Sequence, residues 1–207
     1  MPALYERKID LSVIVPCYNL ESHIQPLLDS LRNQKHGYNV EFIFVLNNCT
    51  DNTEDVIRKN GFCYILECKT QGCGPARNVG LEHAKGEYVW FMDGDDYLLT
   101  PNAINMAMDK AKGLDLIRVP FKSRGFQRDY FSMVWQYVMR RKFIEGIWFP
   151  SIQPCEDDAF MERVLDRAGY DRGNYIFLPT VNEPLYYYNY LREGSNMFRY
   201  LLLHERI

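Results

Sequence analysis

The first 92 residues of the chain alternate four short apolar runs with three segments of helical periodicity. Short runs rich in Val, Ile and Phe predict buried strands, whereas apolar residues recurring every three or four positions predict helices. The predicted strands span residues 11–16, 41–46, 62–67 and 87–92, and the predicted helices span residues 21–33, 53–60 and 75–84. Because strands that alternate with helices pair in parallel, the sequence predicts an α/β fold with a mainly parallel central sheet flanked by helices.

Polar segments follow all four predicted strands. They are Tyr18 with Asn19, Asn47 with Asn48, residues 70–77, and residues 93–96. In sheets of this kind, ligands bind beyond the carboxyl ends of the strands. We therefore expect the four segments to lie at one edge of the sheet and to form one site.

The last of these segments, Asp93-Gly94-Asp95-Asp96, places three carboxylates within four residues. Like charges this close repel one another unless solvent or a cation offsets them. If the strand continues through the segment, Asp93 and Asp95 point to the same side, and Gly94 lets a ligand approach the backbone. Such carboxylates, together with substrate phosphates, are the ligands that Mg²⁺ or Mn²⁺ takes. A divalent metal site and an acidic turn that caps the next helix both remain open.

A glycine-rich segment, residues 72–77, leads into the third predicted helix, with Pro75 at its first position. Backbone N–H groups at such a helix start bind anions, and Arg77 adds a bidentate phosphate donor. The alternative is an ordinary capped helix with a surface arginine. The segment contains neither G-x-G-x-x-G nor Gly-Lys-Ser/Thr, which argues against a dinucleotide dehydrogenase and a P-loop enzyme.

A second acidic cluster, Glu156-Asp157-Asp158, lies at the start of a predicted helix at residues 158–168. Acids in this position stabilise the positive end of a helix. A partly buried carboxylate beside other carboxylates also has a raised proton affinity, which suits a general base. The residues alone leave both interpretations open.

The second half of the chain is less regular. We expect a helix at residues 101–112, a strand at 114–122, and late strands at 175–178 and 185–190. Trp135 and Trp148 suit stacking on a sugar of an acceptor, although such residues more often pack in a core. No repeat or linker divides the chain, so we expect a single domain over residues 1–207.

The composition restricts the possible partners. The net charge is −3 and the pI is near 5.8, so the chain has no broad basic surface for nucleic acid. No apolar stretch is long enough to span a bilayer, and no signal-peptide core precedes a cleavage site. We therefore expect a cytoplasmic protein without a membrane span, and we leave peripheral contact with a membrane surface open.

Five segments carry a resemblance when they are taken together and in order. They are Val13-Ile-Val-Pro-Cys-Tyr-Asn19, Val45-Leu-Asn-Asn-Cys-Thr-Asp-Asn-Thr53, Gly74-Pro-Ala-Arg-Asn-Val-Gly80, Gly86-Glu-Tyr-Val-Trp-Phe-Met-Asp-Gly-Asp-Asp96 and Glu156-Asp-Asp-Ala-Phe160. The set resembles the family 2 glycosyltransferases, which have the GT-A fold. The resemblance extends from about residue 11 to residue 198 and is densest up to residue 100.

The resemblance implies an activity. The protein would transfer a sugar from a nucleotide diphosphate donor, with a UDP-sugar expected, to a hydroxyl of a glycan or lipid-linked acceptor. The anomeric centre would be inverted, and the product would belong to cell-surface polysaccharide or glycoconjugate synthesis. Residues 1–98 would form the nucleotide-sugar-binding half, and residues 99–207 the acceptor and catalytic-base half.

The resemblance also implies roles on the nucleotide side of the site. Pro16, Tyr18 and Asn19 match the loop that holds the base and the ribose. Arg77 matches an arginine near the base and the diphosphate. Asn47 stands where the family usually has an acid that reads the base, so the base preference of this chain is open.

Further matches concern the chemistry. Asp93 and Asp95 match the D-x-D that holds the ribose and a Mn²⁺ or Mg²⁺ ion, with Asp95 the expected direct ligand. Asp157 matches the catalytic base, with Glu156 beside it. The metal and Arg77 would neutralise the departing diphosphate.

Other features refine the expectation. Arg192 and Ser195 resemble the arginine-then-serine ending of capsule and teichoic-type members. The Gln-x-x-Arg-Trp motif of processive members is absent, so we expect transfer of one sugar at a time. The tail after Glu156 is short and has no membrane segment, so we do not expect a polysaccharide synthase. A nucleotidyltransferase that releases pyrophosphate and a non-catalytic nucleotide-sugar-binding relic are the alternatives.

Overall fold

The computed structural model describes residues 8–123, 133–152, 156–169 and 179–189. The helices are α1 (Gln25–Arg32), α2 (Thr53–Lys59), α3 (Cys73–His83), α4 (Ala103–Ala111) and α5 (Glu156–Arg167), with a 3₁₀ turn at Val134–Gln136. The strands are β1 (Leu11–Cys17), β2 (Val40–Asn47), β3 (Ile65–Cys68), β4 (Tyr88–Phe91), β5 (Tyr97–Leu98), β6 (Leu116–Arg118), β7 (Phe121–Ser123), β8 (Tyr137–Arg140) and β9 (Tyr186–Tyr188). From β1 to β4, strands and helices alternate as the hydrophobic pattern predicts.

Six of the described strands form the central sheet, in the order β3-β2-β1-β4-β8-β6. The pairs β1–β2, β1–β4 and β2–β3 are parallel, whereas β8 runs antiparallel to both of its neighbours, β4 and β6. In this register Leu11 lies opposite Val40 on one side and Tyr88 on the other. The predicted α/β class with a mainly parallel central sheet is confirmed. A smaller sheet has the order β5-β9-β7.

The central sheet is buried on both faces because side chains of β1 alternate between two apolar layers. Val13 and Val15 pack with α1 and α4, whereas Ile14 packs on the side of α3 and α5. Gly80 of α3 faces Ile14 so closely that a Cβ atom on it would lie 2.3 Å from Ile14 Cγ2. The missing side chain lets α3 lie directly on the sheet, and this positions the N-terminal end of the helix at the strand ends.

The single strand predicted at residues 114–122 is wrong, because the chain forms two strands there in different sheets. β6 ends at Arg118 and β7 begins at Phe121, with Pro120 between them. Proline has no amide hydrogen to donate to a ladder, and the chain changes sheets at this point. The carbonyl of Pro120 accepts a hydrogen bond from Leu185 N–H at 2.9 Å, just before β9.

Two helices begin earlier than predicted. α3 begins at Cys73, which makes Gly72 its N-cap and Pro75 its third residue. The N–H groups of a first turn have no partner inside the helix, so a proline is tolerated there. α5 begins at Glu156, two residues before the predicted start, and both Glu156 and Asp157 therefore lie in its first turn.

The second half folds around aromatic contacts that periodicity does not predict. β9 occupies part of the strand predicted at residues 185–190, and Tyr186 of β9 stacks on Trp135 with ring centres 4.8 Å apart. The strand predicted at residues 175–178 lies outside the described residues. The single domain and its division into two halves stay predictions. No helix within the described ranges is both long enough and apolar enough to cross a membrane.

Candidate active site

The four polar segments after β1, β2, β3 and β4 contact one another at the carboxyl ends of the parallel strands. The hydrogen bonds between them include Thr50 N–H to Asn19 Oδ1 at 2.8 Å, Gly72 N–H to Asn47 Oδ1 at 2.7 Å, and Arg77 Nη2 to Asp93 Oδ1 at 2.8 Å. The loops therefore form one continuous edge, which is where a ligand of a parallel sheet binds.

Arg77, in the second turn of α3, lies at the centre of this edge with 3% of its side chain exposed. Nη2 donates to Asp93, and Nη1 donates to Glu156 Oε1 at 2.9 Å and to Asp157 Oδ1. The Phe149 ring lies beside the guanidinium, 5.4 Å from Cζ to the ring centre. The alternative of an ordinary surface arginine is thus wrong. Acids from two distant parts of the sequence converge on one buried cation.

One guanidinium faces three carboxylates, so the cluster carries more negative than positive charge. Burial raises the pKa of Asp157 to about 8; Arg77 opposes this rise, and the charges of Glu156 and Asp93 add to it. Burial disfavours the charge of Arg77, but the three carboxylates outweigh it and hold the pKa of Arg77 above its ordinary value. Because 22% of the Asp157 side chain is exposed, this carboxyl suits proton transfer near neutral pH.

Two residues of α3, Gly74 and Asn78, contact segments from the second half of the chain close to Arg77. A Cβ atom on Gly74 would lie 2.6 Å from Pro150 O and 3.4 Å from Glu156 Cβ. Asn78 exchanges two hydrogen bonds with the backbone of Phe149, each 2.9 Å long. Asn78 was not predicted as a site residue, and its only signal in the sequence was its place next to Arg77 in the Ala-Arg-Asn segment.

The expectation that Asp93 and Asp95 share one face of a strand is wrong. β4 ends at Phe91, and residues 93–96 form a turn in which Asp96 N–H donates to Asp93 O at 3.2 Å. Alternation of side chains holds only within a strand. In the turn, the direction of each acidic side chain is set by the backbone conformation of that residue.

Asp96 is the innermost acid of this turn, with 1% exposure. It accepts hydrogen bonds from the Tyr186 hydroxyl at 2.7 Å and from Asn189 N–H at 2.8 Å. The Tyr186 oxygen in turn accepts from Asp93 N–H at 3.0 Å. Burial and the charges of Asp95 and Asp93 raise the pKa of Asp96 well above its ordinary range. Tyr186 was not predicted as a site residue, because a run of three tyrosines does not indicate which hydroxyl contacts an acid.

The acids of the turn are compatible with a divalent metal site whose coordination is completed by the substrate. No group of three or more His, Cys, Asp and Glu residues is arranged to hold a metal within the described ranges. Asp93 is 29% exposed at its side chain, and Asp95 is partly exposed. Mg²⁺ is usually bound through one or two carboxylates together with substrate phosphates. Two partly exposed carboxylates beside a surplus of negative charge fit that pattern, and the Mn²⁺ or Mg²⁺ site stays a prediction.

The residues expected to hold the base and the ribose differ in how accessible they are. Tyr18 is 43% exposed and has a face available for stacking. Asn19 adopts a left-handed φ of +48° and directs its side chain to the β2–α2 loop. Pro16 is buried within β1, so contact between its ring and a nucleotide is not supported. A Cβ atom on Gly94 would lie 2.3 Å from Leu20 Cδ1, so this glycine lets the first and fourth loops approach closely.

The two tryptophans predicted to contact the acceptor also differ in how exposed they are. Trp135 is 1% exposed and packs in the core, so its expected contact with an acceptor is wrong. Trp148 is 42% exposed and lines a cavity of about 520 Å³ between residues 81–82 of α3 and residues 141–148. None of the convergent acids lines this cavity, so we place the chemistry at Arg77 and keep Trp148 as a predicted acceptor contact. Arg192 and Ser195 lie outside the described residues.

The fold is similar to that of solved glycosyltransferases. It matches the crystal structure of Staphylococcus aureus TarS 1–349 in complex with UDP-GlcNAc with a TM-score of 0.78 and 24% identity, covering 92% of this chain and 61% of that one. It also matches the mannosyltransferase PcManGT from Pyrobaculum calidifontis, in complex with GDP-Man and Mn²⁺, with a TM-score of 0.69 and 19% identity, covering 94% of this chain and 61% of that one. At these identities the likeness concerns the fold, and the expected GT-A fold is confirmed.

Sequence comparison finds relatives among characterised and uncharacterised transferases. Poly(ribitol-phosphate) beta-N-acetylglucosaminyltransferase TarS of Staphylococcus aureus is 29% identical over 90% of this chain and 36% of its own length. Poly(ribitol-phosphate) beta-glucosyltransferase of Bacillus spizizenii is 28% identical over 90% of this chain and 33% of its own length. The uncharacterised glycosyltransferase EpsJ of Bacillus subtilis is 35% identical over 83% of this chain and 62% of its own length. The chain thus spans about a third of the length of the first two relatives.

The sequence pattern of Glycosyl transferase family 2 matches residues 12–174, which is well over half of the chain. The matched range contains the four strand-end loops, Arg77 and both acidic clusters. The chain belongs to glycosyl transferase family 2.

Proposed function

We propose that this protein transfers a single sugar from a nucleotide diphosphate sugar, preferably a UDP-sugar, to an acceptor hydroxyl with inversion at the anomeric carbon. Membership of the family supports sugar transfer. The single observation that carries the proposal is the convergence of Asp93, Glu156 and Asp157 on buried Arg77. This arrangement joins a donor-side acid to two acids of the second half at the edge where ligands bind.

Asp157 acts as the general base. It accepts the proton of the acceptor hydroxyl while that oxygen attacks the anomeric carbon from the face opposite the leaving diphosphate. The raised pKa of Asp157, about 8, gives the carboxylate a strong affinity for that proton. Glu156 lies beside it on the same guanidinium and keeps the local charge negative.

Arg77 acts mainly by orienting the acids. Both of its terminal nitrogens donate to carboxylates, so contact with the departing diphosphate requires some of these bonds to be exchanged. Its Nε has no hydrogen-bond partner among the described residues, although the side chain is buried. We assign Arg77 to holding Asp93 and Asp157 at a constant separation in the unliganded protein.

Asp93 and Asp95 are the residues that would hold a divalent cation together with the donor. When bound, Mn²⁺ or Mg²⁺ supplies electrostatic neutralisation of the leaving diphosphate. Tyr186 stabilises the turn that carries these acids, because its hydroxyl accepts from the backbone N–H of Asp93 and donates to the side chain of Asp96.

The acceptor that we propose is a hydroxyl on a cell-surface glycan, a polyol-phosphate polymer or a lipid-linked glycan. The names of two relatives, a poly(ribitol-phosphate) N-acetylglucosaminyltransferase and a poly(ribitol-phosphate) glucosyltransferase, support this choice. Exposed Trp148 is the proposed acceptor contact in the described part of the second half. We propose a cytoplasmic location and no nucleic-acid partner.

Calorimetry with UDP, GDP and CDP, each with and without Mn²⁺, tests the donor side directly. We expect UDP to bind and Mn²⁺ to tighten its binding. Asp95→Asn should lose this metal-dependent gain, whereas Asp166→Asn, an exposed acid on α5, should keep it. No heat with any of the three nucleotides contradicts the proposal.

Turnover separates the remaining alternatives. We expect UDP to be released from UDP-GlcNAc or UDP-glucose when a polyol-phosphate or glycan acceptor is added. Release of pyrophosphate from a nucleoside triphosphate instead identifies a nucleotidyltransferase. Nucleotide binding without any donor turnover identifies a non-catalytic relic.

A further inference from the structure

Asn47, the last residue of β2, stands where the family usually has an acid that reads the base, but its side chain is 4% exposed and faces a loop of its own chain. Nδ2 donates to Cys68 O at 3.0 Å and to Thr70 O at 2.7 Å, and Oδ1 accepts from Gly72 N–H at 2.7 Å. An asparagine side chain offers two donor hydrogens and two acceptor positions, so three of the four are occupied. The partners also determine the orientation of the amide, since two carbonyls need donors and one N–H needs an acceptor.

These three bonds hold the segment between β3 and α3. Residues 69–71 of that segment are exposed, and Gly72 adopts a φ of +127°, which residues with a side chain rarely do. Gly72 is also the N-cap of α3, the helix that carries Arg77. Asn47 therefore connects the end of β2 to the start of the helix on which the acids converge.

We propose that Asn47 is a positioning residue that clamps the β3–α3 loop, and that it does not discriminate the base of the donor. This inference rests on the proposed function, because it concerns which base the donor site accepts. Both donor hydrogens of Asn47 are used inside the protein, and its acceptor already has the Gly72 amide. Base preference then depends on groups outside the clamp, such as exposed Tyr18.

The substitution Asn47→Asp separates the clamp from a base-reading role, because the two roles predict opposite outcomes. A carboxylate has nearly the same shape as the amide, but it cannot donate and places negative charge against two carbonyl oxygens. A clamp is broken by this change, whereas a residue that accepts a hydrogen bond from a base keeps or improves its acceptor. The substitution also installs the residue type that the family usually has at this position.

Dissociation constants for UDP, GDP and CDP, measured for the wild type and for Asn47→Asp, provide the first readout. We expect all three nucleotides to bind more weakly by the same factor, on the order of tenfold. Asn102→Asp is the matched control: Asn102 is the exposed N-cap of α4 and lies in none of the four strand-end loops, and an aspartate is favoured at an N-cap. This control should bind as the wild type does. Unchanged or tighter UDP binding in Asn47→Asp, or weakening that differs between bases, overturns the proposal.

Amide hydrogen exchange of the unliganded proteins provides a second readout that does not depend on the proposed function. In Asn47→Asp we expect faster exchange confined to residues 68–76, with the amides of β1 protected as in the wild type. Unchanged exchange throughout residues 68–76 overturns the clamp. If Asn47→Asp does not fold, Asn47→Ser is measured in the same way, since it removes both amide N–H donors, adds no charge, and leaves a hydroxyl that can donate to only one of the two carbonyls. If the wild type binds no nucleotide, the proposed function fails while the exchange result still decides the clamp.

Discussion

The two acidic clusters, residues 93–96 and 156–158, have similar compositions and different surroundings. The first lies in a turn, where the innermost acid, Asp96, is buried and accepts a hydrogen bond from the Tyr186 hydroxyl. The second lies in the first turn of α5, where two acids share Arg77 and Asp158 is exposed. Composition therefore does not decide which acid of a cluster is buried and which contacts the shared cation. The local backbone decides it, because a turn and a helix point consecutive side chains in different directions.

Loss of the cation that joins the two clusters should have the largest effect. Arg77→Met keeps a long side chain but leaves three carboxylates together without their shared partner. Removing one partner of a buried ion pair costs about 3–5 kcal/mol, so we expect the free energy of unfolding to fall by that amount. Urea unfolding at neutral pH measures it. Arg58→Met, which removes an exposed i,i+4 pair with Glu54, should cost less than about 1 kcal/mol. Equal losses in the two variants contradict a structural link through Arg77.

Within the second cluster, the comparison predicts that only one acid is essential for transfer. Asp157→Asn should bind UDP as the wild type does and lose at least about a hundredfold in turnover, because the general base is missing. Asp158→Asn changes the next, exposed residue in the same way and should keep its turnover. UDP release from the donor measures both. Retained turnover in Asp157→Asn removes this residue from the mechanism.

The same acid should make stability depend on pH. The carboxyl of Asp157 has an ordinary pKa of 3.8 and a folded-state pKa of about 8, so between these values the folded protein holds a proton that the unfolded chain releases. The free energy of unfolding should therefore fall as the pH rises through that window. The raised pKa of Asp96 contributes with the same sign.

Asp157→Asn removes the contribution of this carboxyl. Relative to the wild type, the variant should become progressively more stable as the pH rises towards about 8, with no further gain above it. Urea unfolding of both proteins across that range measures the difference. A difference that stays constant with pH shows that Asp157 titrates normally in the folded protein.

The smallest effect concerns the support of the first cluster. Tyr186→Phe keeps the ring on Trp135 but removes the hydroxyl that joins Asp93 N–H to Asp96, so we expect a loss of about 1–3 kcal/mol. The control is Tyr187→Phe, whose ring keeps its stacking on Tyr97 at 4.6 Å; it should change stability by less than about 0.5 kcal/mol. Thermal unfolding compares the two. If both variants match the wild type, β9 does not hold the acidic turn.

The outcome of the sequence-based predictions differs between the halves of the chain for a physical reason. β1 to β4 and the helices between them were predictable because each is a local pattern of apolar residues. The acceptor contact predicted for Trp135 was wrong, because burial of an aromatic residue depends on partners such as Tyr186, which lies 51 residues further along the chain. The break at Pro120 was missed because a change of sheet is a tertiary event.

The amino-acid sequence by itself determined the alternation of strands and helices, the edge where the four polar loops meet, and the order of motifs that marks the family. These follow from local periodicity and from the geometry of parallel sheets. Only the tertiary structure decided that Arg77 is buried among three acids, that Tyr186 holds the acidic turn, and that Asn47 faces the β3–α3 loop. Each of these depends on contacts between segments far apart in the chain, and hydrogen-bond partners at such distances leave no periodic signal in the sequence.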